Sequence, residues 1–282
     1  MSKKAIYPSF IIGGAPKSGT SSLYFWLSAH PQIIGSKIKE PFFFADEVNR
    51  FNKGLNCIEN PFEDYAKLFE NGEEGKQSFE STAHYLYYQN AIDGLQKLPV
   101  KPRIIFLLRE PSAQLLSHYQ MERYRTQSVK MELSEYVKQP YILKYTEYTK
   151  YLQMWFDGYG RDFVKVVLFE DMMRNKLRVI KEIAGFLEVD ASFYDDFDFE
   201  HRNKSVKIKS SKLHKFGLAV QAKIPHQVQK VLLPLYLKMN SGDVPKPTDE
   251  EKAILAEFKK EKLVEVESLK LLLPELDFAL WK

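Results

Sequence analysis

The stretch from Ser9 to His30, SFIIGGAPKSGTSSLYFWLSAH, limits what this chain can fold into more than any other. A short apolar run of β type leads into a glycine-rich turn, and the turn leads into an amphipathic helical pattern. That order aims backbone N–H groups and a helix N-terminus at an anion. The common ATP or GTP loop reads G-x-x-x-x-G-K-[ST], with the lysine directly after the last glycine. Here Lys17 precedes Gly19, and Ser18 and Thr20 flank that glycine. The turn suits a phosphate-like group without being a Walker loop. The alternative is a plain strand-to-helix turn capped by Ser or Thr.

The rest of the chain extends the same pattern. Gln77 to Glu80 (QSFE) is a candidate strand, and so is Phe163 to Phe169 (FVKVVLF). Arg103 to Leu108 (RIIFLL) is the unbroken apolar run of a parallel strand buried on both faces. Helical patterns cover Ala113 to Arg125, Met131 to Gln139 and Lys176 to Leu187. Strands alternating with helices predict a three-layer αβα fold with a central parallel sheet, of the P-loop nucleotide-binding type. Ligands then bind at the carboxyl ends of the strands. From His201 the text turns basic (HRNKSVKIKSSKLHKF). Two helical stretches follow, Gln227 to Met239 and Thr248 to Leu272, broken by NSGDVPKP. A single domain over residues 1–282 is expected, with an α/β core over 1–200 and a basic loop plus C-terminal helical extension over 201–282.

Composition bounds the partners. The 282 residues are 44% hydrophobic, enough for a sizeable core. A net charge of +4 suits anionic ligands but falls short of a dedicated nucleic-acid binder. Cys57 is the single cysteine, so no intrachain disulfide can form and a reducing compartment is expected. No apolar leader and no run of membrane-spanning length is visible, so the chain reads as soluble and cytoplasmic. Residues 213–239 mix lysines with apolar residues, a composition open either to peripheral membrane contact or to packing on the domain. The sequence leaves the oligomeric state open.

Four further constellations carry chemistry. In KEPFFFADE, Glu40 stands between Lys39 and Pro41, ahead of three phenylalanines. An apolar wall there would partly desolvate the carboxylate and raise its pKa toward that of a general base. Otherwise Phe42 to Phe44 are core and Glu40 is a surface charge. In RIIFLLREPSAQLLSHYQ, Arg109 ends the buried strand, Pro111 opens the next helix, and Ser117 and His118 lie about two turns along it. An arginine at a strand's carboxyl end is a fork for a second phosphate, or else half of an Arg–Glu surface pair. A strand ending in Arg-Glu, where triphosphate hydrolases place an Asp for magnesium, argues against a metal-held triphosphate. In FESTAHYLYY, Glu80, Ser81, Thr82 and His84 follow a strand, and His84 is a minor acid–base candidate. The basic loop offers Arg202, Lys204, Lys207 and Lys209. The scattered histidines and lone cysteine form no metal-ligand pattern.

Taken in order, APKSGTSSL, HPQI, KEPFFF, FESTAHYL, RIIFLLREPSAQLLSHY, NKSVKIKS and the closing FKKEKLVEVESLKLLLPELDFALW resemble the sulfotransferases that use 3′-phosphoadenosine 5′-phosphosulfate (PAPS). KEPFFF makes the chain most similar to the carbohydrate branch, the heparan-sulfate-type enzymes and their bacterial relatives. The resemblance implies a donor with a 5′-phosphosulfate and a 3′-phosphate, two anion sites and no metal. It implies that Lys17, Ser18, Gly19, Thr20, Ser21 and Ser22 cradle the 5′-phosphosulfate and that Arg109 and Ser117 hold the 3′-phosphate. Among Lys204, Lys207 and Lys209, some residue closes over the nucleotide. Golgi relatives often brace that loop with a disulfide, which a chain with only Cys57 cannot do.

The implied chemistry is in-line sulfuryl transfer. Glu40 takes the acceptor's proton, Lys17 stabilises the leaving charge, and Lys39 touches the transferring group, with His84 as the other acid–base candidate. The acceptor is a hydroxyl, most simply on a glycan, and 3′-phosphoadenosine 5′-phosphate (PAP) is the product. A phenol or lipid-like acceptor, a nucleotide kinase, and a non-enzymatic binder of anionic polymers through residues 201–215 are the competing readings. Phe42 to Phe44, Tyr85, Tyr87 and Tyr88 are expected to wall an aromatic acceptor cleft.

Overall fold

Five short strands pair side by side, all parallel, in the order β2-β3-β1-β4-β5. They are β1 (Phe10–Gly14), β2 (Ile33–Gly35), β3 (Gln77–Ser81), β4 (Arg103–Leu108) and β5 (Val164–Leu168). The structure, a computed structural model, describes residues 5–73, 75–199, 206–210, 213, 236 and 239–281. β1 is apolar throughout and β4 is apolar after Arg103, because both faces of these strands are covered. Ile11, Ile104, Phe106 and Leu108 face one layer, while Phe10, Ile12, Ile105 and Leu107 face the other.

On the first face lie the helices Gln89–Leu95, Tyr148–Tyr159 and Leu263–Leu272. Tyr148, Leu152, Trp155 and Tyr159 recur at helical spacing and form the buried stripe of the second of these. On the opposite face, Thr20–Ser28 contributes Leu23, Trp26 and Leu27, and Lys176–Leu187 contributes Val179, Ile180, Ile183, Ala184 and Leu187. The fold is the expected three-layer α/β arrangement. No helix among the described residues is long and apolar enough to cross a membrane.

Some expected elements are displaced. RIIFLL forms a strand over its full length, whereas Ala113 to Arg125 divides into an α-helix, Pro111–Gln120, and a π-helical turn, Met121–Thr126. Met131 to Gln139 keeps only Leu133–Tyr136 as helix, since Pro140 opens a separate short helix. Thr248 to Leu272 is two helices, Asp249–Glu261 and Leu263–Leu272; Thr248 and Glu251 close a capping box at the first. Part of NSGDVPKP is a strand, β7 (Ser241–Asp243), which pairs antiparallel with β6 (Val206–Ile208). Most of Gln227 to Met239 and of residues 213–239 lies outside the described residues.

Candidate active site

The chain moves to one side of β1 for β2 and β3 and to the other side for β4 and β5, so β1 and β4 border the switch point of the sheet. Open α/β sheets bind ligands outside the carboxyl ends of such strands. A cleft of ≈ 1160 Å³ opens there, and Lys17, Gly19 to Ser22, Lys39, Glu40, Phe42, His84, Arg109, Ser117 and His118 line it.

The first loop owes its shape to its backbone. Gly19 has φ +88°, and a Cβ placed on it would lie 2.6 Å from Phe169 Cδ2, so only glycine fits. Gly19 is also the N-cap of the Thr20–Ser28 helix, and no side chain caps that helix. The loop is therefore not the Ser- or Thr-capped turn of the alternative reading. Ser18 is fully buried beneath it, and its Oγ has no partner among the described residues. Lys17 also has positive φ, 65°. Burial, then Arg125 and Arg109, lower its ammonium pKa to about 8, with Glu40 opposing the shift. It remains mostly protonated at neutral pH.

Arg109 crosses from the end of β4 to this loop. Its Nη1 donates to Lys17 O at 3.1 Å, and its guanidinium lies 4.8 Å from the Phe169 ring. Its Nε is buried without a partner among the described residues, and Tyr148 OH donates to its carbonyl at 3.0 Å. Arg109 and Glu110 do not form the surface pair considered from sequence. Glu110 is buried and caps the Pro111–Gln120 helix, accepting from Ser112 N and Ala113 N at 3.1 and 2.8 Å and from Ser112 Oγ at 2.6 Å. That cap fixes the start of the helix on which Ser117 faces the cleft.

Lys39 joins the loop to Glu40. Its Nζ donates to Ser21 Oγ at 2.7 Å and stands 3.7 Å from Glu40 Oε1. Glu40 N donates to Ser81 O at 3.0 Å. Glu40 and Phe42 have φ of 56° and 53° on either side of Pro41. Left-handed conformations at non-glycine residues cost about 1–3 kcal/mol each and gather at functional sites. Three of the five among the described residues, Lys17, Glu40 and Phe42, line this cleft.

The expected phenylalanine wall around Glu40 is corrected. Only Phe42 reaches the cleft, because the turn sends Phe43 and Phe44 into the core beside Tyr65 and Tyr85. The Glu40 side chain keeps 38% exposure. Tyr85 and Tyr87 are core as well, and Phe51, Tyr141 and Tyr145 take their place in the cleft. Among the described residues the fully buried carboxylate is Glu80. Burial pushes it up to about 7, against hydrogen bonds from Thr82 Oγ1 at 2.6 Å and Tyr65 OH at 2.8 Å.

His84 lines the cleft, and burial, aided by Lys144, lowers its pKa to about 4. Lys204 lies outside the described residues. Lys207 and Lys209 are not brought to the cleft wall: Lys207 Nζ sits 5.6 Å from the Tyr124 ring, and Lys209 N bonds Asn240 O. From the same hairpin, Asp243 lines the cleft. Sequence reasoning gave no role to His118, Arg50, Phe51, Arg125 or Tyr145. His118 was legible as the neighbour of Ser117, while Tyr145 belongs to no motif.

The chain belongs to the sulfotransferase domain family, whose model matches residues 8–226. It is 33% identical over 112 residues to a membrane-associated sulfotransferase of Dictyostelium discoideum, covering 40% of this chain and 22% of that protein. Over 118 residues it is 34% identical to the mouse bifunctional heparan sulfate N-deacetylase/N-sulfotransferase 4, covering 41% and 13%. Human carbohydrate sulfotransferase 15 is 28% identical over 150 residues, covering 40% and 27%. The chain thus spans about a quarter or less of the length of these curated relatives. A crystal structure of a sulfotransferase from Alicyclobacillus acidocaldarius superposes with a TM-score of 0.58 at 25% identity, over 80% of this chain and 96% of that one.

Proposed function

We propose that this chain moves a sulfuryl group from PAPS to an acceptor hydroxyl, most simply one on a carbohydrate. The observation that carries the reading is the contact of Arg109 with the Lys17 carbonyl, which joins two cationic sites across one cleft. A nucleotide with phosphates at both ends of its ribose needs that pair. The residues fit such a donor. The N-terminus of the Thr20–Ser28 helix opens on the cleft at Gly19, and Ser18 Oγ and Arg109 Nε, buried without partners among the described residues, supply two polar atoms for the donor's oxygens. The family likeness to carbohydrate sulfotransferases supports the glycan acceptor.

Bound PAPS supplies the sulfuryl group and carries off the electron pair of the broken bond. Lys17, with Ser18, Gly19, Thr20, Ser21 and Ser22, holds the 5′ end and meets the charge that grows on the bridging oxygen. Arg109 and Ser117 hold the 3′-phosphate, Arg109 as a planar fork. Glu40 accepts the acceptor's proton, and Lys39, tied to both Ser21 and Glu40, keeps that carboxylate beside the loop. Lys207 and Lys209 are assigned the outer rim of the nucleotide, next to the π-helical turn. A phosphoryl-transferring reading asks for an acidic strand end, and Glu110, the carboxylate there, is spent on its helix cap.

The test is transfer of label from sulfur-labelled PAPS to a panel of oligosaccharides, phenols and glycolipids, with magnesium chelated. Labelling of a saccharide hydroxyl is the expected result. Labelling of phenols or glycolipids alone would move the acceptor class, and failure of PAPS to bind at all would overturn the reading.

A further inference from the structure

Strands β4 and β5 leave the sheet side by side. Leu108 pairs with Leu168, so Arg109-Glu110 and Phe169-Glu170 emerge next to each other at the carboxyl edge. Phe169 lies against the Arg109 guanidinium, and Glu170 takes the backbone: Glu110 N donates to Glu170 Oε1 at 3.1 Å. The carbonyl of the same peptide unit, Arg109 O, accepts from Tyr148 OH. The Arg109–Glu110 peptide is therefore held at both its N–H and its C=O, by two side chains from elsewhere in the chain. Neither holder stands alone. Trp281 Nε1 donates to the second oxygen of Glu170, Oε2, at 2.7 Å, and Trp281 is only 4% exposed. Glu265 Oε1 accepts from Thr149 N and Thr149 Oγ1 at 2.7 and 2.8 Å, at the start of the helix that carries Tyr148. Both fasteners belong to the C-terminal segment, Glu265 to the Leu263–Leu272 helix and Trp281 to the turn Phe278–Trp281.

We propose that Glu170 is a positioning residue for Arg109 and that Trp281 locks it, so that the C-terminal segment completes the nucleotide site. The inference rests on the PAPS reading and adds residues to which that reading gave no part. A planar guanidinium makes two parallel N–H bonds to a phosphate only when its plane and its stem are fixed. Arg109 Nη1 is already committed to Lys17 O, so the main chain at Arg109 decides where its remaining N–H groups point. The Glu170 carboxylate is also a charge beside that guanidinium. Burial lowers the pKa of Arg109, and Glu170 is the first of the groups that oppose the shift. Its two oxygens serve two different donors, and the indole N–H, a donor with no acceptor capacity, sets the rotamer in which the other oxygen meets Glu110 N. Released from Trp281, the carboxylate is free to turn onto the Arg109 guanidinium and compete there with a phosphate.

The test is calorimetric titration of PAP, and of adenosine 5′-phosphate as the nucleotide without a 3′-phosphate, into the full chain with magnesium chelated. It is run on wild type, Trp281→Phe and Glu170→Asp, and on each variant combined with Arg109→Ala. Both substitutions keep the charge of the site. The first removes the indole N–H while a ring still fills most of the space, and the second shortens the reach of the carboxylate. Each is expected to weaken PAP about three- to tenfold, the worth of one hydrogen bond. Adenosine 5′-phosphate should stay within about twofold of wild type. Without Arg109 the same changes should alter PAP affinity by less than about twofold, because a residue that acts through Arg109 has nothing left to position. Unchanged PAP affinity in both single variants overturns the proposal. An equal loss for both nucleotides also overturns it, since that marks a general prop of the fold, and so does a loss that persists in full without Arg109. Should Trp281→Phe fail to fold, Glu170→Asp, which leaves the C-terminal packing in place, decides the matter. Wild type that binds PAP no more tightly than adenosine 5′-phosphate is a separate failure, because it removes the PAPS reading and this inference with it.

Discussion

The proposed donor and acceptor ends of the cleft are built on different principles. At the donor end the backbone does most of the work: a left-handed Gly19 with no room for a Cβ, a helix N-terminus, and Arg109 clasping the loop carbonyl. At the acceptor end the wall is made of side chains from separate places, namely Phe42 and Phe51 from one loop, His84 after β3, His118 from the Pro111–Gln120 helix, and Tyr145. A backbone-built site is rigid and tied to a local motif. A wall assembled from distant side chains can change its selectivity one residue at a time while the donor chemistry stays fixed. Glu40 and Lys39 sit on the seam between the two.

Substitutions can break this division, and the largest effect is expected at the seam. Glu40→Gln keeps the size of the side chain but cannot take a proton, so kcat on a sugar hydroxyl should fall by about 10²–10⁴-fold with PAP affinity unchanged. A phenol, being more acidic, should lose less. Lys17→Ala should lower kcat by about 10²–10³-fold and PAP affinity much less. A defect confined to PAP binding would place Lys17 in ground-state recognition instead. Arg109→Ala should weaken PAP by about 10–100-fold, as expected for a charge-assisted bond. Adenosine 5′-phosphate, which lacks the 3′-phosphate, should bind wild type and this variant alike.

The smallest expected effect is on stability and has opposite signs in the cleft and in the core. The cleft imidazoles have folded pKa values of about 4 and about 3, below the free value of 6.5. The unfolded chain therefore takes up more protons as pH falls below 6.5, and stability drops on that side. His118→Phe should shrink that loss. Glu80, raised from 4.5 to about 7, behaves in the opposite way: its contribution is complete below 4.5 and is lost as pH rises through 7. Glu80→Gln should therefore gain on wild type in thermal melts above neutral pH.

How far these features could be read from sequence follows the same division. RIIFLL was legible in full because a strand buried on both faces leaves no polar gap. The reversed glycine loop and Arg109 were legible as neighbours because a strand–turn–helix junction and a strand end each carry a local sequence pattern, and the fold brings both to one cleft. The Tyr148–Tyr159 helix was missed because its buried stripe is largely tyrosine and tryptophan, which an apolar count underweights. KEPFFF misled for a physical reason: left-handed turns at Glu40 and Phe42 send three consecutive phenylalanines in different directions, and no composition records that. His84, His118 and Tyr145 come together only through the fold. Their shared wall had no sequence signal.

The most direct test of the central claim, that the loop and Arg109 form one site for a nucleotide with phosphates at both ends of its ribose, is a thermal melt with magnesium chelated. PAP at about 100 times its Kd should raise the midpoint by about 5 °C. ATP, with or without magnesium, should raise it far less, and Arg109→Ala should cut the shift given by PAP to about half or less. Equal stabilisation of wild type by magnesium-ATP and by PAP would contradict the claim.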